Sequence, residues 1–158
     1  MNAPKAGREI RVIAENRKAR HNYFIEDETE AGIMLVGTEV KSLRAGHANI
    51  GDAFAEVRGE EIFLINAHIQ EYEFGNRNNH DARRPRKLLL NRREINRIMA
   101  AIQRKGYTVV PLNIYFNERG RVKVKIGLAK GKQLHDKRAS EKERDWSREK
   151  GRLLKDHG

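Results

Sequence analysis

Apolar and polar positions change period several times along this chain, and each change predicts an element. Ile10, Val12 and Ala14 alternate with Arg11, Ile13 and Glu15, the spacing of a strand. Tyr23–Ile25 and Ile33–Val36 predict two further strands, bridged by an acidic turn over Glu26–Glu30. Thr38 as N-cap, Val40 and Leu43 three apart, and Gly46 as terminator predict a short helix. Phe54–Val57 and Ile62–Ile69 flank Arg58-Gly59-Glu60-Glu61, a hairpin signature. Residues 75–86 are polar and basic without periodicity and read as a loop. Asn91 and Glu94 have the spacing of a capping box, and Ile95, Ile98, Met99 and Ile102 then recur at three and four, a helix with one buried stripe ended by Gly106. Tyr107–Phe116 and Arg121–Leu128 are two last strands. In the second, Val122, Val124 and Ile126 alternate with Lys123 and Lys125, so one face packs and the other is basic and wet.

About six strands, mostly joined by hairpins, with two or three short helices, predict a mainly β fold. An antiparallel barrel of OB type, closed to hide its edges, is the natural form. Residues 1–8, with Pro4 and Gly7, read as a flexible N-terminus, 9–130 as the body and 131–158 as a basic tail.

Composition narrows the partner. Among 158 residues, 33 Lys and Arg stand against 22 Asp and Glu, a formal charge of +11 that favours a polyanion, nucleic acid above all. A membrane surface would need a long helix with a free apolar face, which the pattern does not supply. The absence of cysteine excludes disulfides, thiolate nucleophiles and Cys-based zinc sites. With no signal-like or membrane-spanning apolar run, a cytoplasmic location is expected.

Catalytic signatures fail on inspection. No two of the six histidines have the i, i+4 spacing of a helical metal site. The dipeptides His80-Asp81 and His135-Asp136 sit in basic, loop-like surroundings and read as solvated polar residues. Gly127 to Lys132 imitates a phosphate loop, but it is one residue short and has Gln133 in place of the hydroxyl residue. A protein without enzymatic activity, metal or cofactor is expected.

Binding signatures are stronger. Asn16–Phe24 interleaves Arg17, Lys18, Arg20 and His21 with Tyr23 and Phe24, cations for phosphates beside aromatic faces for unstacked bases. Arg83, Arg84, Arg86 and Lys87 crowd before Leu88–Leu90, a density of charge that a plain loop does not explain. These features alone also fit a generic OB-type binder of single-stranded DNA or ribosomal RNA.

The blocks NRKARHNYFIEDETEAGIMLVGTEVKSLRAGHANI, RPRKLLLNRREI, GYTVVPLNIYF and VKVKIGLAKGKQLHDKR, in this order along nearly the whole chain, resemble the SmpB family. The resemblance implies an OB-like barrel with added helices and a monomer that binds the tRNA-like domain of transfer-messenger RNA. It further implies delivery of that RNA to stalled ribosomes for trans-translation, with elongation factor Tu and alanyl-tRNA synthetase engaged indirectly through the RNA. Family RNA contacts at a Glu, a Leu and an Asn map onto Glu30, Leu89 and Asn91; Lys87, Lys123 and Lys125 are further candidates for RNA binding.

Residues 131–158 hold too little apolar surface to offset chain ordering, so disorder is expected in the free protein. Yet Ser140 and Glu143 have capping-box spacing, and Ala139, Trp146 and Leu153 fall seven apart, with Leu154 alongside, giving one narrow helical stripe. The resemblance implies that this helix forms in the empty messenger channel of the small ribosomal subunit. His135, Asp136, Lys137 and Arg138 would then lie near the decoding centre, and Lys130 and Lys132 would meet phosphate.

Overall fold

The computed structural model describes residues 9–75 and 79–131. In chain order the elements are β1 (Arg11–Glu15), α1 (Arg17–Asn22), β2 (Tyr23–Ile33), α2 (Gly37–Arg44), β3 (Ala48–Asn49), β4 (Phe54–Arg58), β5 (Glu61–Ile65), β6 (His68–Ile69), β7 (Arg86–Leu89), α3 (Arg92–Ile102), β8 (Tyr107–Phe116) and β9 (Val122–Gly131). Seven strands form one sheet in the order β1-β8-β9-β2-β7-β5-β4, and β3 pairs with β6. All these pairings are antiparallel.

The mainly β, antiparallel expectation holds, but the sheet is not closed into a barrel. Its edges are β1 and β4; β4 packs against β8 without a hydrogen-bonded ladder. β1 pairs with β8 only from Phe116 back to Asn113. There the buried Asn16 takes over: its N–H donates to the Leu112 carbonyl at 2.8 Å and its Nδ2 to that of Pro111 at 2.9 Å. Its Oδ1 accepts from the Ala19 N–H at 3.1 Å, starting α1 where β1 would have continued. This helix went unpredicted because only Ala19 of its six residues is buried, which leaves no apolar period to read.

The acidic turn expected over Glu26–Glu30 is instead the middle of a single strand. β2 runs eleven residues and pairs with β9 along its length, with a bulge at Asp27, whose φ is 43°. An acidic run suits a strand here because it lies beside β9, where Glu30 stands directly opposite Lys125. At α2 the cap is Val36, not Thr38; the Val36 N–H donates to the Glu39 carboxylate at 2.9 Å. The strand expected over Ile62–Ile69 breaks at Asn66, φ 62°, into β5 and β6. At α3 both halves of the capping box form: Asn91 Oδ1 accepts from the Glu94 N–H at 2.8 Å, and Glu94 Oε1 accepts from the Asn91 N–H at 3.1 Å.

One apolar core lies between the sheet and the elements that cover it. Leu43 of α2, Ile95 and Ile98 of α3, Ile69, and the inward residues Ala31, Leu88, Ile114, Val124 and Ile126 all belong to it. Set within it is a wholly buried ion pair. Glu39 and Arg86 have no exposed surface. The Glu39 carboxylate accepts from Arg86 Nε, from Arg84 Nε and Nη2, and from the Val36 N–H. Arg86 also donates to the Ala67 carbonyl at 2.7 Å and the Ala82 carbonyl at 3.0 Å. Burial pushes the Glu39 carboxyl up, but the hydrogen bonds outweigh it and hold the group below its ordinary value. Burial likewise lowers Arg86, which nevertheless stays charged.

Because the folded-state value of Glu39 lies below the unfolded one, its ionised form contributes stability above the unfolded carboxylate range. That contribution is lost as pH falls through the folded value. Glu39→Ala, which strands Arg86, is expected to cost roughly 3–5 kcal/mol in urea unfolding. Glu39→Gln is expected to flatten the loss of stability that the parent chain shows below about pH 4.

Candidate nucleic-acid interface

Strand pairing sets the side chains of the sheet's outer face in rows. Val12 stands opposite Tyr115, Tyr115 opposite Lys123, Lys123 opposite Gly32, and Gly32 opposite Leu89. The adjoining row is Glu15, Asn113, Lys125 and Glu30. Directly opposed residues share a face, and residues two apart on a strand repeat it, so Lys87 joins the same surface. Asn91 follows two residues beyond Leu89 and caps α3. The structure thus brings Glu30, Lys87, Leu89, Asn91, Lys123 and Lys125 together, although 95 positions separate the first from the last. Their inward neighbours Ala31, Leu88 and Val124 are buried, which obliges these side chains to point outward.

The surface is basic with an apolar ledge. Leu89 is 48% exposed, an apolar side chain left open to a partner. It lies over Gly32, where a Cβ would approach the Leu89 Cβ to 3.1 Å; the glycine of the Glu30-Ala31-Gly32 run is the seat of the ledge. Lys123 and Lys125 make no ion pair among the described residues. Lys87 lies 3.8 Å from Glu61, a half-exposed pair. Between the lysines Glu30 is exposed, and its carboxylate accepts a hydrogen bond from the hydroxyl of Tyr115, a ring that is only 4% exposed. Burial and then this bond push the Tyr115 phenol above its ordinary value, so it remains a donor throughout the physiological range.

On β9 the outward residues continue from Lys123 and Lys125 through Gly127 to Ala129, where α1 covers the face with Ala19 against Val110, Leu112 and Ala129. Arg17, Lys18, Arg20 and His21 therefore border the basic surface. Arg20 reaches Glu28, one outward position from Glu30, at 3.2 Å, while Lys18 turns away to Asp52 at 3.5 Å. Both pairs are exposed and hold their cations weakly. Lys130 sits at the strand's far end, 5.9 Å from the centre of the Tyr107 ring, which Arg104 also approaches at 5.9 Å.

Part of the cation density before Leu88 has another purpose. Arg86 and Arg84 are consumed by Glu39, and Arg83 Nη1 donates to Asn66 Oδ1 at 2.7 Å. His80 is not solvated as expected. It is buried, with Nε2 donating to the Ile69 carbonyl at 2.9 Å and Nδ1 hydrogen-bonded to the Thr38 hydroxyl at 2.9 Å, so both ring nitrogens are engaged. Of the tail residues singled out above, Lys132, His135, Asp136, Lys137, Arg138, Trp146, Leu153 and Leu154 lie outside the described residues. Tyr115 and Gly32 were missed, since their roles follow from which strands pair, and a local period does not carry that.

A model of the SmpB protein family matches residues 13–156. The chain belongs to the SmpB family. SmpB proteins bind RNA and are not enzymes. Among curated relatives, the SsrA-binding protein of Rhodopseudomonas palustris strain HaA2 is 64% identical over 156 residues, covering 99% of each chain. That of Methylobacterium sp. strain 4-46 is 62% identical over the same length and coverage. A solved chain from a study of tmRNA-SmpB and its journey to the center of the bacterial ribosome shares 52% identity with a TM-score of 0.66, covering 77% of this chain and 85% of its own. In this SmpB chain, Gly32→Ala is expected to push Leu89 off its seat, seen as shifted Leu89 methyl resonances, at a cost of roughly 1 kcal/mol in thermal unfolding.

Proposed function

We propose that this chain is an SsrA-binding protein whose open sheet face docks on the tRNA-like domain of transfer-messenger RNA. It is the partner of that RNA in trans-translation, and it supports delivery of the RNA to stalled ribosomes. The observation that supports this most is the gathering of Glu30, Lys87, Leu89, Asn91, Lys123 and Lys125 on one exposed surface. Lysines there neutralise phosphates, Leu89 offers apolar contact to a base or sugar, and Glu30 and Asn91 accept and donate hydrogen bonds. A carboxylate repels phosphate, so Glu30 serves a base edge or a ribose 2′-hydroxyl. Asn91 holds the Glu94 N–H with its oxygen, leaving its amide group to donate elsewhere. Arg17, Lys18, Arg20 and His21 extend the basic border from α1.

Residues 132–158 then serve the ribosome. The stripe of Ala139, Trp146 and Leu153, with Leu154, forms a helix in the vacant messenger channel of the small subunit. His135 to Arg138 lie at the decoding centre, and Lys130 and Lys132 bind phosphate at the root. Elongation factor Tu and alanyl-tRNA synthetase join through the RNA.

Truncation after Gly131 is expected to leave affinity for the tRNA-like domain within about twofold while abolishing tagging of stalled chains; tagging by the truncated protein removes the tail's role. Affinity of the full chain for that RNA should fall with added salt on a log–log slope of about −3 or steeper, the mark of several phosphate contacts. Competition by unrelated single-stranded DNA at equal strength would replace the reading with a generic binder.

A further inference from the structure

Glu30 is a carboxylate set among Lys123, Lys125 and Lys87, with Glu15, Glu28 and Glu61 farther out on the same face, and a side chain from a buried ring holds it. An exposed glutamate ordinarily samples several rotamers. Here the hydroxyl of Tyr115, two strands away across β9, donates to Glu30 Oε2. The Tyr115 ring is buried at 4% exposure, so the donor arrives from a fixed position rather than a mobile one. The ring's place is fixed in turn by its register: Val12 stands on one side and Lys123 on the other. Lys125 stands directly opposite Glu30, and Lys123 is diagonal to it, opposite Gly32. Neither lysine forms an ion pair with the carboxylate, so one oxygen is pinned by a neutral donor and the other stays open to solvent.

We infer that Tyr115 is a positioning residue for RNA recognition: its hydroxyl clamps Glu30 so that the carboxylate presents a fixed acceptor to an N–H or O–H donor of the RNA. The inference rests on the proposed docking of RNA to this face and adds a residue and a division of roles to it. The lysines supply affinity through phosphates, which carry no sequence information. The Tyr115–Glu30 pair reads a donor, a base amino or imino group or a 2′-hydroxyl. A phosphate offers only acceptors and cannot satisfy it. Without the clamp, the carboxylate must lose rotamer freedom on each binding event, and its fixed aim is gone.

The test is a double-mutant cycle on binding of the full chain to the tRNA-like domain, read across a salt series. Tyr115→Phe keeps the buried ring and removes only the hydroxyl, and thermal unfolding checks that both single variants stay folded. Tyr115→Phe is expected to weaken binding roughly five- to tenfold, the net worth of one ordinary intramolecular hydrogen bond. Glu30→Ala weakens it at least as much, and the double variant is no worse than Glu30→Ala alone. The salt slope stays at the parent value in all three, whereas Lys123→Ala makes it shallower by about one. Glu30→Ala with parent affinity would sink the docking assignment itself. Glu30→Ala weakened but Tyr115→Phe unchanged, losses that multiply in the double variant, or a slope altered by Tyr115→Phe would each overturn the clamp while leaving the docking face in place.

Discussion

Glu39 is the point on which the arrangement of this protein turns. A carboxylate with no exposed surface survives only if its oxygens are fully engaged, and here four donors from three residues converge on it. Those donors come from the start of α2, from Arg84, and from Arg86 at the first residue of β7. Arg86 then spends its other nitrogens on carbonyls of Ala67 and Ala82. One buried charge thereby joins the end of β2, the loop before β6 and the long connection into β7. An apolar group of equal size would fill the space, but it would not dictate which of several similar basic residues enters the core. The pair does: Arg86, whose other nitrogens reach the Ala67 and Ala82 carbonyls, is fully buried, while Arg84, bound to the same carboxylate, stays partly exposed. With Arg86 fixed inward, strand alternation sends Lys87 and Leu89 outward.

The open face has a second origin, in how the sheet ends. β1 yields to α1 at Asn16, and the helix roofs only the Val110, Leu112 and Ala129 end of the outer surface. Between α1 and the Leu89 ledge the outward rows of side chains are left uncovered by this helix. The bulge at Asp27 contributes as well. It shifts the phase of β2, so that Ile25 packs near α1 while Glu28 and Glu30 keep to the same outward side.

Much of this was legible in the residues. The capping box at Asn91, the stripe of α3, the hairpin at Gly59 and the alternation of Lys123 and Lys125 are local signals, and each is found where its period places it. What was illegible depended on partners distant in sequence. The acidic run of β2 resembles a turn until β9 is laid beside it with its lysines. Arg84 and Arg86 resemble Lys87 as surface cations until Glu39, some 45 positions earlier, is brought to them. His80 seems solvated until Thr38 and the Ile69 carbonyl close on its ring. The family resemblance supplied Glu30, Leu89 and Asn91 as separate points; Gly32 and Tyr115, which connect them, required knowledge of the pairing.

β9 carries Lys123 and Lys125 at one end and finishes at Gly131, where residues 132–158 begin, a run of about 26 Å at the usual rise. It is laddered on both sides, by β2 and by β8. Backbone hydrogen bonds in antiparallel ladders lie perpendicular to the strands. A pull on the chain beyond Gly131 along the strand axis therefore loads both ladders in shear, with every bond sharing the force, and does not unzip them one at a time. The strand that carries Lys123 and Lys125 is thus built as a tie rod, able to take mechanical tension applied beyond Gly131 without the globule peeling open.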